Sequence, residues 1–254
     1  MAPFPPSTTD TRPFGVDISR YNKVVDFDMM AAYDYVPVEY IMIRSGQGAE
    51  WSYDALDSCF YYNWEGAKRV GIPRMCYHVI YPSVSVDNQV DNVERIFEEV
   101  DFDFGEGTLW IDLELWQGMT PQVVSDRTIE FQRKLEERFG IRVGIYSGWW
   151  YLSTMIDFEL EIPDWWYEVD WWLAQYLNAD LEREHPGPPW HGPIPLENII
   201  FHQTTSWIEG APMGAPGNIR IDANRFMRGN LYEYLDIDTP VSVFDDWWPL
   251  RMEP

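Results

Sequence analysis

Asp112 and Glu114 stand two residues apart in the run Leu109-Trp-Ile-Asp-Leu-Glu-Leu115, which is otherwise apolar. Side chains at i and i+2 of a strand share one face. The two carboxyls therefore point one way, and Ile111, Leu113 and Leu115 point the other. Two acids side by side in apolar surroundings are costly to ionise together. Burial and like charge raise at least one pKa, which is how a carboxylic acid stays protonated near neutral pH. A glycosidase needs that arrangement, with one carboxyl as proton donor and another to stabilise or orient. A strand end whose acids cap a helix or pair with arginine would look the same, and an isolated Asp-x-Glu does not separate the two readings.

The elements around this pair alternate. Strands are expected at 14–18, 40–44, 74–80, 108–114 and 142–146, and then at 171–175, 199–203 and 219–222. Helices are expected at 27–35, 54–70 and 86–100. Another should run from the N-cap and N1 pair Thr120-Pro121 to the stop Phe139-Gly140. In the second half the connections read as loops, and 178–197 carries five prolines, which support no regular helix. Strand–helix alternation favours a parallel sheet with crossover helices. About eight strands, with helices missing in the C-terminal half, give an α/β fold of the irregular (β/α) barrel type, TIM-barrel-like. No Gly-x-Gly-x-x-Gly opens a helix, which disfavours a dinucleotide fold. The expected organisation is a flexible Pro/Ser/Thr-rich segment at 1–12, a barrel at 13–230 and an acidic tail at 231–254.

A barrel of this kind carries its reactive groups at the C-terminal ends of its strands. Asp17 closes the first strand in Gly15-Val-Asp-Ile-Ser19, and Asp222 closes the last in Ile219-Arg-Ile-Asp-Ala-Asn224. Closure makes first and last strands neighbours, so Asp17 and Asp222 should meet the central pair at one mouth. An oxygen-rich cluster also suits Mg²⁺ or Ca²⁺, a reading ranked below glycosidase chemistry.

Composition narrows the partners. The 254 residues are 46% hydrophobic and 17% aromatic, with 18 basic against 42 acidic residues, a net charge of −24 and a pI near 4.3. Such a chain attracts no nucleic acid, because it has little to exchange for phosphate counterions. It is not drawn electrostatically to an anionic cell wall either, although screening confines exposed charge to about 10 Å. Cys59 and Cys76 form no disulfide framework or metal motif. No apolar run is long enough to span a membrane, and the first residues lack the basic and apolar regions of a signal peptide.

The residues then carry a resemblance. Asp17-Ile-Ser-Arg-Tyr-Asn22 resembles the Asp-x-Ser-x-x-Gln start of glycoside hydrolase family 25, the Chalaropsis-type lysozymes or muramidases, with Asn22 where the family usually has Gln. Similar segments follow in order. They are Ile41-Met-Ile-Arg44, Asn63 through Ala67 to Gly71, Tyr77-His78, Asp112-Leu-Glu114, Gly144-Ile-Tyr146, Trp172-Leu-Ala-Gln-Tyr176, His202-Gln-Thr-Thr205 and Asp222-Ala-Asn-Arg-Phe226. The similarity spans 14–229. It implies hydrolysis of the β-1,4 bond between N-acetylmuramic acid and N-acetylglucosamine in peptidoglycan, without a metal or organic cofactor. On matching positions, Glu114 would be the general acid and Asp112 would orient the 2-acetamido group that attacks the anomeric carbon. Asp17 and Asp222 would tune pKa values and hold sugar or water. The product would retain its anomeric configuration.

Aromatic rings stack on sugar faces, so Tyr77, Tyr146, Trp172 and Tyr176 are candidate subsite walls as well as candidate core. Gln203 could bond the substrate, and Arg44 could bind it or act as counter-ion to the acids. His78 reads better as a hydrogen-bonded structural residue than as a proton shuttle. Ser19 and Ser147 lack a nucleophile-elbow context. In the Trp pairs 149–150, 165–166 and 247–248, one ring of each is expected to be exposed. The expectation is a lysozyme of endolysin type, made in the cytoplasm and acting on the wall after release by a holin or as part of a virion. The alternative is a wall-binding or structural virion module of the same fold.

Overall fold

A computed structural model describes residues 3–102, 107–158, 161–176, 189 and 191–236. Eight strands close into a barrel in chain order. They are β1 (Phe14–Ile18), β2 (Tyr40–Gln47), β3 (Arg74–Val79), β4 (Leu109–Asp112), β5 (Val143–Gly148), β6 (Trp171–Ala174), β7 (Ile199–Glu209) and β8 (Arg220–Phe226). Helices α1 (Phe27–Ala31), α2 (Phe60–Val70), α3 (Val86–Glu99), α4 (Pro121–Phe139) and α5 (Trp149–Asp157) follow the first five strands, and α6 (Leu231–Leu235) follows the last. The fold is the irregular (β/α) barrel expected from the sequence.

β1 to β7 run parallel, and β8 is antiparallel to both β7 and β1. A parallel return needs a long crossover, usually a helix. Between β7 and β8 only a 3-10 turn at Ala211–Met213 intervenes, so the chain reverses instead. The reversal corrects one expectation. Asp222 sits near the start of its strand, not at its C-terminal end, and reaches the mouth because the strand runs the other way.

The barrel interior is built of large rings. Tyr40, Trp110, Trp172, Phe201 and Phe226 form its buried cluster with Met42 and Met75. Two of these wide rings need a narrow neighbour. Tyr40 pairs with Gly15 and Trp110 with Gly144 across adjacent strands, and a Cβ on either glycine would come within 2.3 Å of the facing ring. The floor is closed by α6, whose Leu231 and Leu235 are buried in the same cluster. Tyr234 stacks obliquely on Phe226 at 5.6 Å. Residues 231–235 thus belong to the barrel rather than to a tail. The rest of that expected tail, with Trp247 and Trp248, lies outside the described residues, as does most of the proline-rich segment at 178–197.

Other boundaries shift for identifiable reasons. The helix expected from residue 54 begins at Phe60, because Asp57 is drawn inward to Arg44 and Asp54 takes a left-handed φ of 57°. The segment 149–157, rich in aromatics, is helical as α5. Both Trp165 and Trp166 are buried, against the expectation of one exposed ring, whereas Trp149 is buried and Trp150 exposed.

The first residues were expected to be flexible, but residues 3–12 are pinned. Phe4 is fully buried and bridges to Ile208. The buried Arg225 of β8 donates from Nη2 to Ser7 O at 3.0 Å and from Nη1 to Arg12 O at 3.1 Å, with Asp10 at 3.6 Å from its Nε. An arginine inside the fold needs those acceptors. Removing residues 1–12 should therefore strand a buried charge and destabilise the barrel by about 3–5 kcal/mol. Urea unfolding of the truncated chain checks this, and an unchanged midpoint would show the segment to be dispensable.

Candidate active site

Alternation along each strand sends one set of side chains into the barrel, and the upper members of that set build the site. Asp17 rises from β1 directly opposite Asp222 of β8, as register partners. Asp112 is the last ladder residue of β4, paired with Tyr146. Glu114 lies one alternation further on, in a segment held by three hydrogen bonds. Leu113 N donates to Tyr146 O at 2.9 Å, Ser147 Oγ donates to Leu113 O at 2.7 Å, and Tyr151 O–H donates to Leu115 O at 3.0 Å. The four acids converge on one mouth. The charge on Glu114 and on Asp17 acts on Asp112 and on Asp222 alike.

Asp17 has the most defined environment. Its Oδ2 accepts Gln203 Nε2 at 2.7 Å and Asn224 Nδ2 at 2.8 Å. The orientation of Asn224 follows from chemistry. An indole N–H can only donate, and Trp172 Nε1 donates to Asn224 Oδ1 at 2.7 Å, which turns the amide N–H group toward Asp17. Gln203 Oε1 in turn accepts the hydroxyls of Tyr146 at 3.0 Å and Tyr176 at 2.5 Å. By contrast, Asp112 Oδ1 is buried with no hydrogen-bond partner.

Burial dominates the electrostatics. It pushes Asp17 up to about 6, although the two amide donors oppose it. It pushes Glu114 up to about 7, helped by the charge of Asp17. Asp112 rises well above the ordinary carboxyl range through burial and then Glu114, with Arg44 pulling it back. Asp222 rises similarly through burial, then Asp17 and Glu114. Each ionised member raises its neighbours, so near neutral pH the set holds protons. Asp17, with two amide donors on one oxygen, is the preferred carboxylate.

The other expected site residues separate into two groups. Tyr176 is partly exposed, its ring 5.7 Å from that of the exposed Trp150. Tyr77 and Tyr146 are largely buried, with their rings against Trp172 at 5.6 and 4.3 Å. Trp172 itself is 1% exposed. It cannot present a face to a sugar, and instead carries Asn224 and backs the two tyrosines. Gln203 is buried and engaged with Asp17. Arg44 acts on Asp112 as the expected counter-charge, but its direct partner is Asp57 rather than a member of the acid set. Its Nε donates to Asp57 Oδ2 at 2.7 Å, and only its Nη2 is buried without a partner. His78 is structural, bonded to Gly48 O at 3.0 Å and lowered to about 4 by burial. Among the described residues, no three His, Cys, Asp or Glu side chains are placed to hold a metal ion.

Sequence reasoning missed Asn224 and Asp57 as site residues. The signal for Asn224 was present, since it stands two residues from Asp222 on a strand and must share its face. Asp57 gave none, being one acid among many in a loop. It joins three elements, accepting Arg44 from β2, Arg20 N from the loop after β1 at 2.9 Å, and Cys59 N before α2 at 2.9 Å.

A barrel whose mouth gathers raised carboxyls is compatible with glycosidase chemistry, which uses a protonated acid beside a second carboxyl. Residues 16–207 match the model of the family described as Glycosyl hydrolases family 25, and the chain belongs to that family. The barrel is similar to a family 25 glycosyl hydrolase from Bacillus anthracis, with a TM-score of 0.69, 19% identity and coverage of 93% of this chain and 98% of that one. It is also similar to the catalytic domain of endolysin ply40 from bacteriophage P40 of Listeria monocytogenes, with a TM-score of 0.64, 18% identity and coverage of 90% and 98%. At such identities the likeness is one of fold. In sequence, the chain is 26% identical over 211 residues to the uncharacterized protein YegX of Escherichia coli O6:H1, covering 77% of this chain and 72% of that protein. It covers 58% of the K12 YegX.

The raised carboxyls have a consequence for stability. As pH rises from about 4, the unfolded chain releases its carboxyl protons first, while the folded site retains them. Stability therefore falls with rising pH, and the loss from Glu114 is complete only above about 7. Glu114→Gln should raise Tm relative to wild type at pH 8 and change it little at pH 4. Parallel Tm–pH curves for the two proteins would show that Glu114 titrates normally.

Proposed function

We propose that this family 25 member is a lysozyme. It would hydrolyse the β-1,4 bond between N-acetylmuramic acid and N-acetylglucosamine and so act on bacterial peptidoglycan at the cell wall. The observation that carries the reading is the pairing of Glu114, a half-buried carboxyl raised to about 7, with the unpartnered Oδ1 of the buried Asp112. One group can give a proton near neutral pH, and the other lacks the donor that a substrate would bring.

In this mechanism the protonated Glu114 gives its proton to the leaving glycosidic oxygen as the bond to the anomeric carbon breaks. The 2-acetamido carbonyl of the same muramic acid residue attacks that carbon, while its N–H donates to Asp112 Oδ1. That donor stabilises the ionised form of Asp112. In a set that shares protons, ionising Asp112 raises Glu114 further, so the acid is best protonated when substrate is seated. Glu114, now a carboxylate, takes a proton from water as it opens the cyclic intermediate, and configuration is retained. Asp17 supplies fixed negative charge that keeps Glu114 protonated. Asp222, with Asp17, holds sugar or water.

Loss of a positioned general acid costs on the order of 10²- to 10⁴-fold. Clearance of purified peptidoglycan by Glu114→Gln should be slower by that factor with an unchanged fold. Wild-type activity should decline as pH rises through about 7. Asp112→Asn should also lose a large part of its rate, and the first anomeric product seen by NMR should be the retained one. A wild type no faster than Glu114→Gln would leave the alternative of a wall-binding module.

A further inference from the structure

Close to the acid mouth lies a recess of about 240 Å³ lined by Arg20, Tyr21, Lys23, Ser58 and Cys59. Its lining holds two cations and no acid, in a chain of net charge −24. Arg20 is paired with Asp54 at 2.6 Å and lies over the rings of Tyr21 and Tyr53, at 4.9 Å from each. Lys23 differs. The chain has three lysines, and Lys134 is bridged to Asp87 and Glu130. Lys23 has no acidic partner among the described residues. Its backbone is nonetheless fixed. The fully buried Asn63 donates to Lys23 O at 3.0 Å and accepts Val25 N at 3.0 Å, which holds Lys23 at a left-handed φ of 67°. An unpaired ammonium is thus mounted on a rigid loop facing a cavity.

The recess is linked to the reaction site through Asp57. Arg20 follows Asp17 by three residues. Its backbone N–H shares Asp57 Oδ2 with the Arg44 guanidinium, which lies 5.2 Å from the Tyr21 ring and acts on Asp112. Arg44 and Asp57 therefore connect the Asp112 side of the mouth to the Arg20–Lys23 recess. Resting on the proposed function, Asp112 holds the acetamido group at C2 of muramic acid. The neighbouring C3 carries the lactyl ether and its peptide stem. We infer that the recess binds a carboxylate of that stem, with Lys23 as the charge that recognises it, so that peptide-bearing strands are favoured over uncharged ones.

The test uses binding as well as turnover. Sacculi freed of phosphate polymers with hydrofluoric acid form one substrate, and the same sacculi with carboxyls amidated by carbodiimide and methylamine form the other. In the Glu114→Gln background, Lys23→Gln should weaken sedimentation with the first about fivefold, the scale of one partly exposed ion pair. It should leave binding to the second unchanged, and Lys23→Arg should restore the first. With Glu114 intact, Lys23→Gln should raise KM on the first substrate without altering kcat. An equal effect on amidated sacculi, no effect on either, or an effect seen only on walls that keep their phosphate polymers would overturn the inference. Absent hydrolysis with this binding pattern intact would sink the enzymatic reading alone.

Discussion

Four carboxyl groups around one opening, Asp17 and Asp112 buried and Glu114 and Asp222 half-buried, cannot all be ionised, and the rest of the mouth is arranged around that constraint. Desolvation raises every member, and each charge that does form raises the others. The surroundings decide where that charge rests. Two amide donors converge on Asp17 Oδ2, while none reaches Asp112 Oδ1. Neither amide is free to turn over, because Trp172 fixes Asn224, and Tyr146 and Tyr176 fix Gln203. The nearest guanidinium, which would otherwise neutralise the set, is held on Asp57. Within the set, neutral hydrogen bonds favour the charge on Asp17, burial and like charge raise the other three carboxyls, and Arg44 opposes the rise at Asp112.

Such a site needs a floor that excludes water, and the barrel interior supplies it. Rings of Tyr40, Trp110, Phe201 and Phe226 fill the space below the acids, and those of Tyr40 and Trp110 fit only because glycine faces them on the adjacent strand. The floor is completed by α6 from below, while residues 3–12 pack along β7 and β8. The burial that raises the carboxyls and the packing that stabilises the barrel are the same feature. Loosening the interior would admit water and lower the acids toward ordinary values, so loss of stability and loss of a protonated Glu114 would arrive together.

Much of this could be read from the sequence, for definite reasons. Strand alternation is local, so the shared face of Asp112 and Glu114 and the opposition of Asp17 and Asp222 followed once a closed barrel was inferred. The caps of α4 were equally local, with Thr120 Oγ1 accepting the Val123 N–H and Gly140 at a left-handed φ. What escaped was non-local. The direction of β8 depends on a short connection rather than on its own residues. The late start of α2 depends on Asp57 reaching an arginine thirteen positions away. Composition suggested a loose N-terminus, because nothing near it in sequence reveals that Arg225, more than two hundred residues on, needs its carbonyls. The aromatic count likewise hid which rings were walls. Trp172 looked like a sugar platform and is instead a buried donor.

The net charge of −24 sits uneasily with an anionic wall, but its distribution reduces the conflict. Part of the acidity lies on α3 and α4, where Arg138 and Lys134 offset some of it, and exposed pairs of this kind add little stability. Screening limits their reach to about 10 Å. At the mouth, the proton-bearing acids present less negative charge than their number suggests. On the proposed function, the sugar backbone is uncharged apart from its substituents, so contact there would rest on hydrogen bonds and exposed rings such as Trp150 and Tyr176. A chain repelled at long range can still engage such a polymer once contact is made. Its affinity must then come from short-range features, and its salt dependence should reflect the few cations beside the mouth rather than the overall charge.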